Sequence, residues 1–101
     1  AYYAMFHAAK AILLLKDVKP KTHVGVIKEF GLEFVSEGYV DELLGKSFSA
    51  ARENREFADY DIHVEITEEE AKETINNAKS FVEVVERLIE KLEAEKREAK
   101  K

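Results

Sequence analysis

The first sixteen residues of the chain are apolar at almost every position. Only His7, Lys10 and Lys16 interrupt a run of Ala, Tyr, Met, Phe, Ile and Leu. A helix that is apolar nearly all round is typical of an element buried at the centre of a protein. The pattern therefore predicts a buried central helix over residues 1–16, which the polar, proline-containing segment 17–21 ends.

Apolar residues at three- and four-residue steps predict two further helices. Thr22 is a suitable N-cap for the second helix, and Gly38 is the glycine signal that ends it. The apolar positions of this helix are Val24, Ile27, Phe30 and Phe34. The third helix is predicted from about Tyr39 to Phe57, with a buried stripe of Val40, Leu43, Leu44, Ser47, Phe48 and Ala51.

The last helix has the clearest start, because Thr67 and Glu70 have the spacing of a capping box. A heptad seam follows at Ala71, Ile75, Ala78, Val82, Val85, Ile89 and Leu92. Three more apolar residues widen the seam, so we expect more than one neighbour to pack there: Phe81, Val84 and Leu88. We expect the charged tail from about residue 93 to 101 to fray, and residues 59–66 to form a packed loop.

These elements predict an all-α protein, an antiparallel bundle of four helices joined by short loops, in a single domain over residues 1–101. With 1 proline and 4 glycines in 101 residues, the chain lacks the turns of an all-β fold. The absence of cysteine excludes disulfides and thiolate chemistry, and makes the cytoplasm the default compartment. No apolar run reaches the roughly 20 residues that cross a bilayer.

Charge and motifs restrict the chemistry further. The net charge of −5 is not that of a generic nucleic-acid binder, so any such role must come from a local site. The sequence contains no P-loop, dinucleotide-binding or HExxH motif. His7, His23 and His63 lie on different segments without metal-site spacing, which favours surface or capping roles. We therefore expect neither a metal nor a cofactor.

One cluster of polar residues stands out at the end of the third helix. Steps of three and four residues place Arg52, Arg55 and Asp59 on one helical face, and Tyr60 follows directly. Two guanidinium groups there could bind a phosphate or a carboxylate. Pairing of Arg52 with Glu56 and of Arg55 with Asp59 on a solvated surface is the alternative, and the pattern alone favours it.

A second candidate lies in the first helix. Tyr3 and His7 are four residues apart and share a face, beside Tyr2 and Phe6. These residues could line a cleft next to the arginines. They could also be core aromatics whose polar atoms are satisfied internally, which the apolar surroundings favour.

Three stretches of the chain resemble the HEPN domain family (higher eukaryotes and prokaryotes nucleotide-binding). They are AYYAMFHAAKAILL at 1–14, KTHVGVIKEFG at 21–31, and REFADYD at 55–61 followed by TEEEA at 67–71. The resemblance covers nearly the whole chain, since these stretches are distributed from residue 1 to residue 71. The resemblance implies a bundle of about five helices, the first of which would precede residue 1.

The resemblance also implies an activity. Toxin members of this family are metal-independent RNases that act as dimers, and their motif is an arginine followed shortly by a histidine. By position Arg55 is the motif arginine, but Tyr60 stands where the histidine is expected, and His63 comes later. Histidine suits proton transfer near neutral pH, whereas tyrosine, with an ordinary pKa of about 10, does so poorly. We therefore expect Arg55 to bind phosphate and RNase activity to be weakened or absent.

Two functions stay open at this point. The first is a toxin–antitoxin subunit that binds RNA or a nucleotide at a cleft of Arg52, Arg55, Asp59, Tyr60, Tyr3 and His7, with Arg55 and Tyr60 as the candidate catalytic residues. The second is a non-catalytic module that dimerises and docks a minimal nucleotidyltransferase, the partner that the resemblance implies. We expect a homodimer in either case. A plain coiled-coil dimeriser built on the seam at 71–92 ranks third.

Overall fold

A computed structural model of the chain describes residues 2–59 and 67–99, with backbone alone at 54–59 and 99. These residues form four α-helices and no strand. The helices are α1 (Tyr2–Leu15), α2 (His23–Phe30), α3 (Glu42–Asp59) and α4 (Glu68–Ala99), and α2 continues without a break into a π-helical turn, Gly31–Val35. The prediction of an all-α bundle is confirmed. The predicted loop at 59–66 lies largely outside the described residues.

Helix α1 is buried on one face only, not all round as its composition predicted. Its buried residues recur at helical spacing and comprise Tyr2, Met5, Ala9, Ile12 and Leu13. On the opposite face Tyr3 is 47% exposed and Leu14 is 50% exposed. Helix α1 ends at Leu15, and Asp17 just beyond it has a positive φ of 59°. The backbone N–H of Val18 then donates to the carbonyl of Leu13 at 3.0 Å, as in a Schellman cap.

Helix α2 begins and ends as its sequence signals predicted. The Thr22 hydroxyl accepts a hydrogen bond from the backbone N–H of Gly25 at 2.9 Å. In the π-helical turn the Ser36 N–H reaches back five residues to the carbonyl of Gly31, at 2.9 Å. Gly38 then adopts a φ of 83°, which a residue with a Cβ rarely does, and this ends the element.

Helix α3 begins later than predicted, at Glu42 and not near Tyr39. The cause is Asp41, whose Oδ1 accepts a hydrogen bond from the Leu43 N–H at 2.8 Å and so caps the helix. Leu43 is 76% exposed and does not belong to the buried stripe, whereas Phe48 is fully buried.

Helix α4 starts at the predicted cap, with the Glu70 N–H donating to the Thr67 hydroxyl at 3.1 Å. Its buried face differs from the predicted seam: the buried residues are Ala78, Phe81, Val85 and Leu88, and Ile75 is 49% exposed. The buried face is displaced from the predicted seam because α4 packs against both α1 and α3. The helix also continues through residues 93–99, where we expected fraying. There the Lys96 amine donates to the carbonyl of Leu15, which anchors the last turns.

Contacts along the helices define their directions. The start of α1 meets the start of α2, where Tyr2 contacts His23, and Lys16 after α1 forms an ion pair with Glu33 after α2. These two helices therefore run in the same direction, so segment 17–22 returns along the bundle and is not the tight antiparallel connection we predicted. Helix α3 runs antiparallel to α2, and therefore to α1, because Gly45 near its start lies beside Val35 whereas Arg52 further along lines a groove with Val24.

The core is a cluster of fully buried phenylalanines contributed by different helices. The ring centroids of Phe30 and Phe81 lie 5.1 Å apart, and those of Phe48 and Phe81 lie 5.0 Å apart. Phe34, from the π-helical turn, lies 5.5 Å from Phe30. Offset and edge-on ring pairs of this kind stabilise a core beyond the area that they bury.

The neighbours Leu13 and Leu14 provide a matched test of the burial of α1. Leu13 is fully buried and Leu14 is 50% exposed. Leu13→Ala should lower the free energy of unfolding by about 2–5 kcal/mol because it leaves a cavity, and Leu14→Ala by less than about 1 kcal/mol. Urea unfolding followed by circular dichroism measures both. Equal losses would show that the buried face of α1 is misassigned.

Two glycines in helical segments should respond in opposite ways to a methyl group. At Gly31 an added Cβ would meet nothing within 4 Å, whereas at Gly45 it would lie 2.8 Å from Cγ2 of Val35. Gly31→Ala should raise the free energy of unfolding by about 0.5–1 kcal/mol through helix propensity. Gly45→Ala should lower it by about 1 kcal/mol or more, because Val35 must move. Thermal melts of the two variants check this, and a stabilised Gly45 variant would contradict the close packing of α3 on the π-helical turn.

Candidate functional site

Helix α3 brings Arg52 to a groove that it shares with α2. The groove has a volume of about 260 Å³ and is lined by Val24, Ile27, Lys28, Ser49, Arg52 and Glu53. Arg52 is half-buried and lies one turn beyond Phe48, which fixes this part of α3 in the core. The groove therefore combines apolar side chains of α2 with two cations, a hydroxyl and one carboxylate, that of Glu53.

The rest of the predicted arginine cluster is described only in part. Arg55 and Asp59 lie in α3, one and two turns beyond Arg52, but their side chains are outside the described residues. Tyr60 and His63 lie outside them entirely. Neither the phosphate site nor the alternative pairing of Arg52 with Glu56 and Arg55 with Asp59 is tested, and both stay predictions.

The aromatic residues of α1 divide between the two interpretations. Tyr2 is a core aromatic, 6% exposed, whose hydroxyl hydrogen-bonds to Nδ1 of His23 at 3.0 Å. Tyr3 and His7 are exposed and share the outer face of α1. Phe6 is half-buried between these groups, with its ring centroid 5.6 Å from that of His7. The buried interpretation is correct for Tyr2, whereas the residues Tyr3 and His7 are exposed.

Sequence reasoning missed the role of His23, the first residue of α2. The imidazole stacks on the ring of Phe6, with centroids 4.3 Å apart and an angle of 14° between the planes. Lys10 lies above the same phenyl ring, its Nζ 5.9 Å from the centroid. No local signal indicates this arrangement, because it joins residues of two helices; what the sequence does show is that residues 1–28 carry five lysines and one acidic residue in a chain with a net charge of −5.

This distribution makes the α1–α2 part of the molecule its basic region. Residues 29–101 carry 20 acidic and 11 basic side chains, so the excess negative charge lies in the rest of the chain, which includes both α3 and α4. Such asymmetry favours the approach of anions to the α1–α2 side of an otherwise acidic protein. In the described residues no group of three or more His, Asp or Glu side chains could hold a metal ion. None of the described helices is long and apolar enough to cross a membrane.

The fold defines a small all-α domain in which Arg52 and Lys28 line a groove between α2 and α3. The chain matches the model of the HEPN domain family over residues 1–88, and it belongs to that family. No solved structure matches it.

Curated relatives from archaea and bacteria extend this assignment. The chain is 46% identical over 92 residues to "Putative toxin MJ0605" from Methanocaldococcus jannaschii, covering 91% of this chain and 68% of that protein. It is 41% identical to a "UPF0332 protein" from Thermotoga maritima, covering 90% and 69%. A second protein from Methanocaldococcus jannaschii, "Putative toxin MJ0142", is 40% identical, covering 80% and 55%.

Proposed function

We propose that this chain is a toxin-like HEPN subunit that binds RNA or a nucleotide at the end of the bundle where Arg52 lies. The observation that carries the proposal is the half-buried Arg52 beside Lys28 in the groove between α2 and α3. The basic character of residues 1–28 and the relatives named as toxins support it. The complete site would include Arg55, Asp59, Tyr60, Tyr3 and His7.

Arginine is the residue type that this position requires. Arg52 and Arg55 lie in the C-terminal half of α3, where the helix dipole is negative and repels an anion. Phosphate must therefore be held by side-chain charge, and a guanidinium group can donate two parallel hydrogen bonds to it. Asp59 would hold one guanidinium in place. Exposed rings such as Tyr3 can stack on an unpaired base, which is a common way in which proteins hold single-stranded RNA.

The catalytic part of the proposal is a weakened or absent RNase activity. Cleavage of RNA without a metal needs a base for the 2′-hydroxyl and an acid for the leaving oxygen. Tyr60 is poorly suited to either role and would instead donate a hydrogen bond to a phosphate or ribose oxygen. Arg55 would stabilise the charge that develops on the phosphate. The chain would therefore bind its ligand more effectively than it cleaves it.

A second candidate function, that of a dimerising and docking module, is favoured by a groove between α1 and α4. This groove has a volume of about 680 Å³ and is lined by Ala4, Ile75, Ala78, Lys79, Val82 and Glu83. Its apolar residues include Ile75, which is 49% exposed. A second copy of the chain would cover such a surface, and a nucleotidyltransferase antitoxin is the partner that the family resemblance implies. The two functions are compatible, because the grooves lie on different pairs of helices.

RNA binding should depend on the arginines of α3 and not on arginine in general. Arg55→Ala should abolish binding of a single-stranded RNA, Arg52→Ala should weaken it about tenfold, and Tyr60→Phe should cost about 1 kcal/mol, each through lost hydrogen bonds to phosphate. Arg87→Ala, on the exposed side of α4, is the matched control and should bind as the wild type does. Fluorescence anisotropy measures binding, and gel electrophoresis of the same mixtures should show slow or absent cleavage. Equal losses in all three arginine variants would contradict a local site.

The oligomeric state should depend on the groove between α1 and α4. Light scattering should give a dimer for the wild type, and Ile75→Glu should give a monomer because a charge then faces the partner's apolar surface. Leu43→Glu introduces the same charge at a position that is 76% exposed on α3, and it should leave the dimer intact. A wild-type monomer at high micromolar concentration would rule out this use of the groove.

A further inference from the structure

The imidazole of His23 is held in a fixed orientation by two residues of α1. Its face lies on the Phe6 ring at 4.3 Å between centroids, and its Nδ1 is hydrogen-bonded to the Tyr2 hydroxyl at 3.0 Å. Tyr2 is itself 6% exposed and stacks on Phe48 with centroids 5.9 Å apart, so the hydroxyl is anchored to the core. Together these two contacts restrict the rotation of the imidazole.

This arrangement leaves one polar atom of the ring for a ligand. His23 is an exposed residue, and among the described residues none hydrogen-bonds to its Nε2. When the Tyr2 hydroxyl donates to Nδ1, the neutral ring carries its proton on Nε2 and presents an N–H donor to solvent. A donor that is already oriented loses little freedom when it binds, which raises affinity.

The position of His23 places this donor at the same end of the bundle as the arginine groove. The next residue, Val24, lines that groove together with Arg52. The connection also runs through the core, because Tyr2 stacks on Phe48 and Arg52 follows Phe48 by one turn. Lys10, whose Nζ lies 5.9 Å from the centroid of the Phe6 ring, adds a positive charge to the same surface.

We propose that His23 is a phosphate-binding residue of this site, with Nε2 donating to a phosphate oxygen of RNA or of a free nucleotide, and that Tyr2 is its positioning residue. The proposal rests on the proposed function, since it adds a ligand contact at the same end of the bundle. It also assigns a function to a histidine outside the arginine segment at 52–60. His23 would bind a phosphate group next to the one that Arg52 binds, and Lys10 would supply positive charge without a hydrogen bond of fixed geometry.

The test compares binding of fluorescein-labelled single-stranded oligouridine to four variants of the full chain. Loss of a hydrogen bond to a charged phosphate should make His23→Ala bind about tenfold more weakly than the wild type. His23→Gln, whose amide can donate from a similar place, should recover part of this loss. Tyr2→Phe keeps the buried ring and should weaken binding a few-fold. Lys91→Ala removes a positive charge from a distant exposed part of α4 and should bind normally. A parallel titration with ATP shows whether a free nucleotide is held by the same residues.

Nitrogen NMR of the His23 ring gives a readout that a purely structural role would not change. In the wild type the ring should be in the Nε2–H form, and its Nε2 resonance should shift when RNA is added. In Tyr2→Phe the two neutral forms should mix. Unfolding midpoints of the variants show that binding losses do not arise from loss of the fold.

The outcomes separate this inference from the proposed function. If Arg52→Ala binds weakly but His23→Ala binds as the wild type does and the ring resonance does not move, His23 is no ligand and only the inference is wrong. If the wild type binds neither RNA nor ATP, both proposals are wrong. Weak binding by Lys91→Ala as well would indicate general charge attraction and would overturn both.

Discussion

The packing of Phe48 is the contact on which the rest of the structure depends. Its fully buried ring lies 5.9 Å from Tyr2 of α1, 6.0 Å from Phe30 of α2 and 5.0 Å from Phe81 of α4, measured between centroids. One side chain of α3 therefore meets an aromatic residue from each of the other helices. Interiors packed at this density transmit small displacements, so the relative positions of all four helices depend on this cluster.

The same contact connects the core to the candidate site. Tyr2 packs on Phe48 with its ring and holds His23 with its hydroxyl, while Arg52 leaves the core one turn beyond Phe48. Groups that bind a ligand well must be held by residues whose own conformations are fixed. The aromatic cluster meets this requirement for the His23 imidazole, which Tyr2 and Phe6 hold, and it fixes the backbone of α3 one turn before Arg52.

Much of the fold could be predicted from the sequence, because local signals decide where helices begin and end. The caps at Thr22 and Thr67 and the glycine at Gly38 are of this kind, and the structure confirms them. The displaced face of α4 and the exposed Leu43 could not be predicted, because they depend on which helices pack together. Asp41 is a local N-cap signal for α3, but the apolar residues around Tyr39 led to an earlier predicted start.

The candidate site, like the fold, could be predicted from the sequence only in part. A helical spacing places Arg52, Arg55 and Asp59 on one face, and Arg52 does line a groove, but only the tertiary structure shows that α2 supplies its other wall. The contact between Tyr2 and His23 joins residues that are 21 positions apart, and it exists because segment 17–22 returns along the bundle so that α1 and α2 start side by side. No periodic pattern in the sequence indicates that segment 17–22 returns along the bundle, so the contact of His23 with Tyr2 could not be predicted.

The most direct test of the account is an NMR titration of the uniformly labelled chain with a short single-stranded RNA. Chemical shift changes report, residue by residue, where the ligand binds. The account predicts that the largest changes fall on residues 2–10, 21–28 and 49–55, which surround the basic end of the bundle. Changes confined to the groove between α1 and α4, at residues 75–83, or no changes at saturating RNA, would contradict it.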